Sequence, residues 1–532
     1  MGSKNISSFV RLLAVASLAP LGCGHGSSPG DASDAAVASM LDGAVSGPLD
    51  GGALDLASVD GTIVSGPPPS TLPVSFSRPD VGTPLSPAEL TVATDELIAI
   101  LKDTRYFDFV EERVHGWPQS DTTHAFWNGT WWSGITVTKT AGVVRYAHSA
   151  DGADNNGLRT APYLEGACYA QLMWGGATSA RLVRTMTRGM SAWALGIVKQ
   201  VGDTNPPLLA RAVYPTSVMS TDGGRSLFID YTLDRPGVDA SQSSYVHLAT
   251  NPSFGDVYIK NKRSKDDIGH MLRTMAQVQP CASRLGSDGA ADLSQMMALY
   301  KAWAQRVDSQ GFAIETLDTS GSLWTPPDML AHYTLTANLE CLGALAVRLM
   351  GGAAAGTLAC GDGLPSLEST AWTFLKNDAR QIERTNHAAA LTLAYQGNQL
   401  TLAASLLSGL ARRIELDLGV AEGASPPADF ELRDVAGEVI YASNVGVPLT
   451  SREVRWLHAR LHQAYVGMRD PSNDLSYHLF DAATPDGTYA YDAPDVGLFH
   501  RDVAMLLGAC ASGNRNPTGR AILDCAHLLA AF

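Results

Sequence analysis

The chain has 532 residues, 45% apolar and 17% charged, enough to bury one very large core or two to three ordinary ones. With 53 acidic against 38 basic side chains the formal net charge is −15, which counts against nucleic acid as a partner. No P-loop, dinucleotide-binding glycine fingerprint, GxSxG elbow or HExxH pair is present, so the chemistry those motifs serve has no local support.

Residues 1–23 read as an export signal. Lys4 and Arg11 supply positive charge, residues 12–22 contain an apolar run too short to span a bilayer, and Leu21-Gly22-Cys23 has the look of a lipoprotein cleavage site. Pro20 stands where an aliphatic residue is usual, and simple secretion is the alternative to a lipid anchor on Cys23. Residues 24–77 carry six aspartates, no Lys or Arg, and much Gly, Ser, Ala and Pro; they predict a disordered tether that cannot offset its ordering entropy. Removing the +2 of the signal and the −6 of the tether leaves −11 for residues 78–532, read here as a single catalytic domain. Cysteine usage fits export. Beyond Cys23 there remain Cys168, Cys281, Cys341, Cys360, Cys510 and Cys525, an even set compatible with disulfides. Cys341 with Cys360 and Cys510 with Cys525 are plausible local pairs, although connectivity does not follow from sequence.

From Ser86 onward the pattern is helical. Ser86, Pro87 and Glu89 form a capping-box signature at a helix start. Further apolar-periodic stretches cover residues 163–175, 177–201, 266–278, 290–307, 328–350, 384–414, 451–468, 500–510 and 519–532. Many are rich in Ala and Leu on more than one face, as helices packed in two layers require. Strand signals are few: one hairpin within 132–149 and short runs at 226–233 and 256–262. No repeat of fixed length is visible, so the expected fold is mainly α: an (α/α) toroid or barrel of antiparallel helix pairs, with long loops and few short strands.

Residues with chemical potential recur in the connecting segments. Trp127, Trp131 and Trp132 offer flat apolar faces that stack on sugar rings or pack a lid. In 148–166, Arg159, Tyr163 and Glu165 lead into a helix and suit a substrate-lined cavity. Asp154, Asn155 and Asn156 lack calcium-loop spacing. In 245–273, Lys260, Lys262, Arg263, Lys265 and Arg273 make a basic island on an acidic chain. It is suited to carboxylate recognition or simply to a solvated face, and His270 stands one turn after Asp266. Finally, Asn386-His387 open a helical pair, and Arg433 and Tyr441 follow after a Gly/Pro-rich break.

An amide, an imidazole, a guanidinium and a phenol are the groups that β-elimination on a uronate needs. Donors neutralise the carboxylate and hold the developing enolate charge. A Tyr removes the C5 proton and protonates the leaving oxygen, provided a cation favours the phenolate. At this point the chain resembles alginate-type polysaccharide lyases of the α/α-toroid class. These carry adjacent Asn-His on an inner helix, then a distant Arg, then a Tyr about two helical turns beyond it. Here Arg433 and Tyr441 lie 46 and 54 residues after His387. Arg433 is one position off the family's pattern, where Asp434 falls. The resemblance, covering residues 375–445, implies a lyase without metal or other cofactor, acting on alginate or glucuronan. Asn386, His387 and Arg433 would neutralise the carboxylate and Tyr441 would be base and acid. Arg159, Tyr163, Lys262, Arg263, His270, Trp131 and Trp132 would bind neighbouring sugars. The partners it implies are an acidic polysaccharide and, through the N-terminal anchor alone, a membrane.

Other readings stay open. Asn386 and His387 can be plain helix residues and Tyr441 a core tyrosine. Within the lyase reading, His270 or Tyr231 can be the base. An inverting glycoside hydrolase would draw two carboxylates from Glu165, Asp267, Glu431 and Asp492. A surface glycan-binding lipoprotein would bind without cleaving. The lyase reading requires residue 441 to meet His387 at the floor of one groove.

Overall fold

The computed structural model describes residues 78–114, 129–130, 135–141, 143–148, 156–198, 207–215, 219–222, 225–228, 245–260, 265–318, 320–325, 338–356, 358, 377–418, 429–469, 485–490, 498, 500–511 and 521–532. The expected signal and tether, residues 1–77, lie outside them. The described residues are mainly helical with few short strands. None of their helices is long and apolar enough to cross a membrane.

Helix α1 (Pro87–Asp103) starts as its sequence dictates. The Ser86 hydroxyl accepts from the Glu89 amide at 3.3 Å, the Glu89 carboxylate accepts from the Ser86 amide at 2.7 Å, and Pro87 needs no donor in the first turn. After α2 (Tyr106–Val114) and the hairpin β1 (Ile135–Thr140) and β2 (Val143–His148), helix α3 (Asn156–Met173) is buried on all sides, only Arg159 and Met173 being partly open. Such a helix belongs inside a bundle. It turns at Gly175 and Gly176, both at positive φ, into α4 (Ala177–Leu195).

Strands β3 (Ala212–Pro215), β4 (Met219–Asp222), β5 (Arg225–Phe228), β6 (Tyr245–Asn251) and β7 (Gly255–Lys260) follow. Next come α5 (Lys265–Val278), α6 (Gly286–Ser309), the two-residue pair β8 (Thr316–Leu317) and β9 (Leu323–Trp324), and α7 (Asn338–Met350). The chain then forms α8 (Asn377–Gln396), α9 (Leu400–Asp417), α10 (Asp429–Asn444), α11 (Ser451–Arg469), β10 (Gly487–Ala490), α12 (His500–Leu506) and α13 (Cys525–Ala530). The sheets are β10-β1-β2-β5-β4, β3-β7-β6 and β8-β9. The expected hairpin pairs Thr136 with Ala147 and Lys139 with Val144, and β10 joins it from more than three hundred residues downstream, Thr136 opposite Ala490.

Packing follows an order. Helix α3 lies against α5, α5 against α8, α8 against α10, α10 against α12, and α12 against α3. The contacts set direction. Leu158 N donates to Asp267, Arg273 to Glu165 and the Tyr169 hydroxyl to Gln277, so residue numbers rise together and α3 and α5 run parallel. Gly269 faces Asn386 and Gln396 donates to the Ala276 carbonyl, so α8 runs the same way. Gly437 faces Asp502 and Asn444 donates to the Met505 carbonyl, which makes α10 and α12 parallel to each other. Outside these lie α4, packed on α3 and α6; α7, on α6 and α8; α9, on α8 and α10; and α11, on α1.

Two disulfides fix this packing: Cys168–Cys281 ties α3 to the turn after α5, and Cys510–Cys525 ties the end of α12 to α13. The second is a pair expected from sequence. Cys341 is disulfide-bonded too, and Cys360, its expected partner, lies outside the described residues. Arg78 closes the body. Its guanidinium grips Glu453 through two hydrogen bonds of 2.7 Å, reaches Glu415 and donates to the Pro448 carbonyl.

Candidate functional site

Charges are rare inside Ala/Leu-rich helices, because each must find a partner there. Here they collect on the helices that pack in succession. Helix α3 brings Glu165, α5 brings Asp267, His270, Arg273 and Thr274, α8 brings Asn386, α10 brings Tyr441, and α12 brings Arg501 and Asp502; all are buried.

Tyr441 is the hub. Its hydroxyl lies 3.2 Å from His270 Nδ1, and the Arg273 guanidinium carbon sits 3.0 Å from the centre of its ring, a cation–π stack. Arg273 Nη2 donates to Glu165 Oε1 at 2.5 Å, and the Thr274 hydroxyl donates to the same oxygen. Helical spacing explains the grouping: His270 and Arg273, three apart on α5, share a face, and Thr274 follows one turn after His270.

Burial decides protonation. It pushes the Tyr441 phenol well above its ordinary range, with Glu165 and Asp502 adding to the rise and Arg273 and Arg501 opposing it. Burial, reinforced by the cations Arg273 and Arg501, holds His270 well below the usual imidazole range. Glu165 is raised to about 7 by burial, against Arg273 and the Thr274 hydrogen bond, which pull it down. Tyr441 therefore donates and the neutral His270 accepts at Nδ1, an assignment that places the imidazole hydrogen on Nε2. Among the described residues that Nε2 has no hydrogen-bond partner, nor has either polar atom of the Asn386 amide. Unpaired buried donors and acceptors of this kind are uncommon in folded proteins. Asn386 points at α5, where a Cβ on Gly269 would lie 2.6 Å from its Oδ1.

The expected meeting of Tyr441 with His387 gives way to a meeting with His270. Consecutive helical residues diverge by about 100°. Asn386 faces α5, while His387 faces α9, near the Leu406 backbone and Arg413, with burial foremost in depressing its pKa. Tyr441, His270 and Asn386 are thus gathered around α5, and His387 stands apart. Tyr163 is buried on α3 and Arg159 half-buried beside it. The backbone of Arg433 and of Glu431 falls in α10, but their side chains lie outside the described residues. So do Trp131, Trp132, Lys262, Arg263, Tyr231 and Asp492, and the side chain of Asp266.

Arg273, Thr274, Arg501 and Asp502 go beyond the expected catalytic set. The sequence carried a signal for Arg273, a cation on the apolar face of a helix one turn after His270, and for Arg501-Asp502, an ion pair opening an otherwise apolar helix. Comparison with models of protein families, with curated proteins and with solved structures returns no match.

Proposed function

We propose that the chain is a polysaccharide lyase that cleaves a uronate-containing polymer, such as alginate or glucuronan, by β-elimination at the Tyr441 centre, in the form in which His270 and not His387 stands beside the phenol. The observation that carries this reading is the Tyr441–His270 hydrogen bond beneath the Arg273 guanidinium. With its hydroxyl proton given up to bulk water beforehand, the Tyr441 phenolate, held by the Arg273 cation beside the neutral His270, takes the proton at C5 of the sugar. The protonated tyrosine then delivers that proton to the leaving glycosidic oxygen while the C4–O4 bond breaks and the C4–C5 double bond forms. The Asn386 amide and His270 Nε2–H supply donors for the carboxylate, whose negative charge grows toward the enolate. Parallel helices packed in sequence, with returning helices outside them, support the toroidal form of the fold, in which loops gather over such a centre. The N-terminal features support export with a lipid anchor at Cys23.

The test is incubation with a panel of acidic polysaccharides, followed through ultraviolet absorbance of unsaturated ends. Tyr441→Phe is expected to lose activity by at least the ~10²–10⁴-fold of a general acid/base. Undiminished product from that variant overturns the assignment.

A second reading, an inverting glycoside hydrolase, is favoured by one observation: Glu165, with its pKa near 7, is poised as a general acid. Shortened chains without a double bond select it.

A further inference from the structure

We infer that Glu165 is a positioning residue that governs whether Tyr441 can carry negative charge, because the two acids share the Arg273 cation. The inference deepens the lyase reading and rests on it for its catalytic meaning, though not for its test.

Arg273 is gripped from two sides. One nitrogen donates to the Glu165 carboxylate at 2.5 Å, and the plane of the guanidinium lies over the Tyr441 ring with its carbon 3.0 Å from the centroid. Glu165 and Arg273 are each about 1% exposed and Tyr441 is 2% exposed, so water screens none of these charges. The other charged groups facing the centre are matched among themselves. On α12, Arg501 lies 3.7 Å from Asp502; on α5, Asp267 accepts from the Leu158 amide and lies 3.8 Å from Arg211. On α10, Glu438 lies 3.8 Å from Arg384 of α8, which pairs with Asp417, and His270 is held neutral. Among the described residues, Arg273 is the cation in direct contact with both acids. A low-dielectric site with one cation tolerates one anion, and a second raises the cost sharply.

The consequence is an exchange. With Glu165 ionised, Arg273 is neutralised on one side, and the phenol keeps its proton. When Glu165 is protonated, or its carboxylate removed, the guanidinium charge is available to the ring and the phenolate is favoured. Thr274 takes part through its hydroxyl on Glu165, which favours the carboxylate form.

The experiment is a spectroscopic pH titration of the tyrosinate band of the full chain, with the Tyr441→Phe variant subtracted to isolate the hub residue. In Glu165→Gln the isolated step moves to lower pH, with about tenfold more tyrosinate at a given pH below the midpoint. Glu165→Leu, which removes the carboxylate without a polar replacement, moves it the same way. Near- and far-ultraviolet circular dichroism reports whether each variant is folded. If Glu165→Gln fails to fold, Glu165→Leu decides. A titration unmoved in a folded variant overturns the proposal. A shift in a protein that leaves every acidic polysaccharide intact upholds the proposal and sinks the lyase reading instead.

Discussion

Gly269 is the residue on which the approach of α8 to α5 depends. A methyl group there would stand 2.6 Å from the Asn386 amide oxygen, well inside contact distance. Gly269→Ala is therefore expected to cost about 1–3 kcal/mol in a denaturant titration, the usual penalty for overpacking. Adding Asn386→Ala should recover part of that loss, since the two changes share one contact. Glu165 gives a pH-dependent counterpart. Its pKa rises from 4.5 to about 7 on folding, so the folded state binds more protons than the unfolded state between those values. The contribution is fully present below 4.5 and lost as pH rises through 7. The stability gap between wild type and Glu165→Gln should narrow or reverse over that window, and thermal melts at a series of pH values measure it. Sequence made Tyr441, Asn386 and His270 legible as chemically capable residues. It misjudged which imidazole meets the phenol, because spacing along the chain carries no information on which face of α8 turns toward α5. Arg273 was visible only as one cation of a basic island.

At the level of single elements, most stretches with apolar periodicity are helical where described, 519–532 only over Cys525–Ala530 and 328–350 described only from Asn338, and the capping box at Ser86 is present in full. Ser86→Ala should cost about 0.5–2 kcal/mol, read as a lowered denaturation midpoint. Helix α2 and strands β3, β4, β6, β8 and β9 were not foreseen, and two further elements escaped the sequence for physical reasons that can be named. Helix α10 begins directly after a Gly/Pro-rich break, and its polar first turns mask the apolar face that follows. Strand β10 owes its extended form to pairing with β1, more than three hundred residues upstream, a long-range contact that local pattern cannot announce. Disulfides followed the same rule: the pair separated by 15 residues was legible, whereas Cys168–Cys281, separated by 113, was not. Chain entropy predicts that removing Cys168–Cys281 costs more than removing Cys510–Cys525, about 5 against about 3 kcal/mol. Paired Cys→Ala variants compared in denaturant test the ranking.

Across the whole molecule, the beginning and the end of the folded body are locked together. Helix α1 packs between α11 and α13, the Asp524 carboxylate accepts from Thr91, and the Asp524 amide donates to Thr94. Arg78, ahead of α1, holds the buried Glu453 and the partly exposed Glu415. Removing one partner of such a pair strands the other charge, so Arg78→Ala should destabilise by about 3–5 kcal/mol. Hydrogen exchange should show the opening concentrated in α1, α11 and α13. None of these residues belongs to the Tyr441 centre. Tension applied to the chain upstream of residue 78 would accordingly be borne by a latch at the perimeter, leaving the buried groups around Tyr441 mechanically insulated.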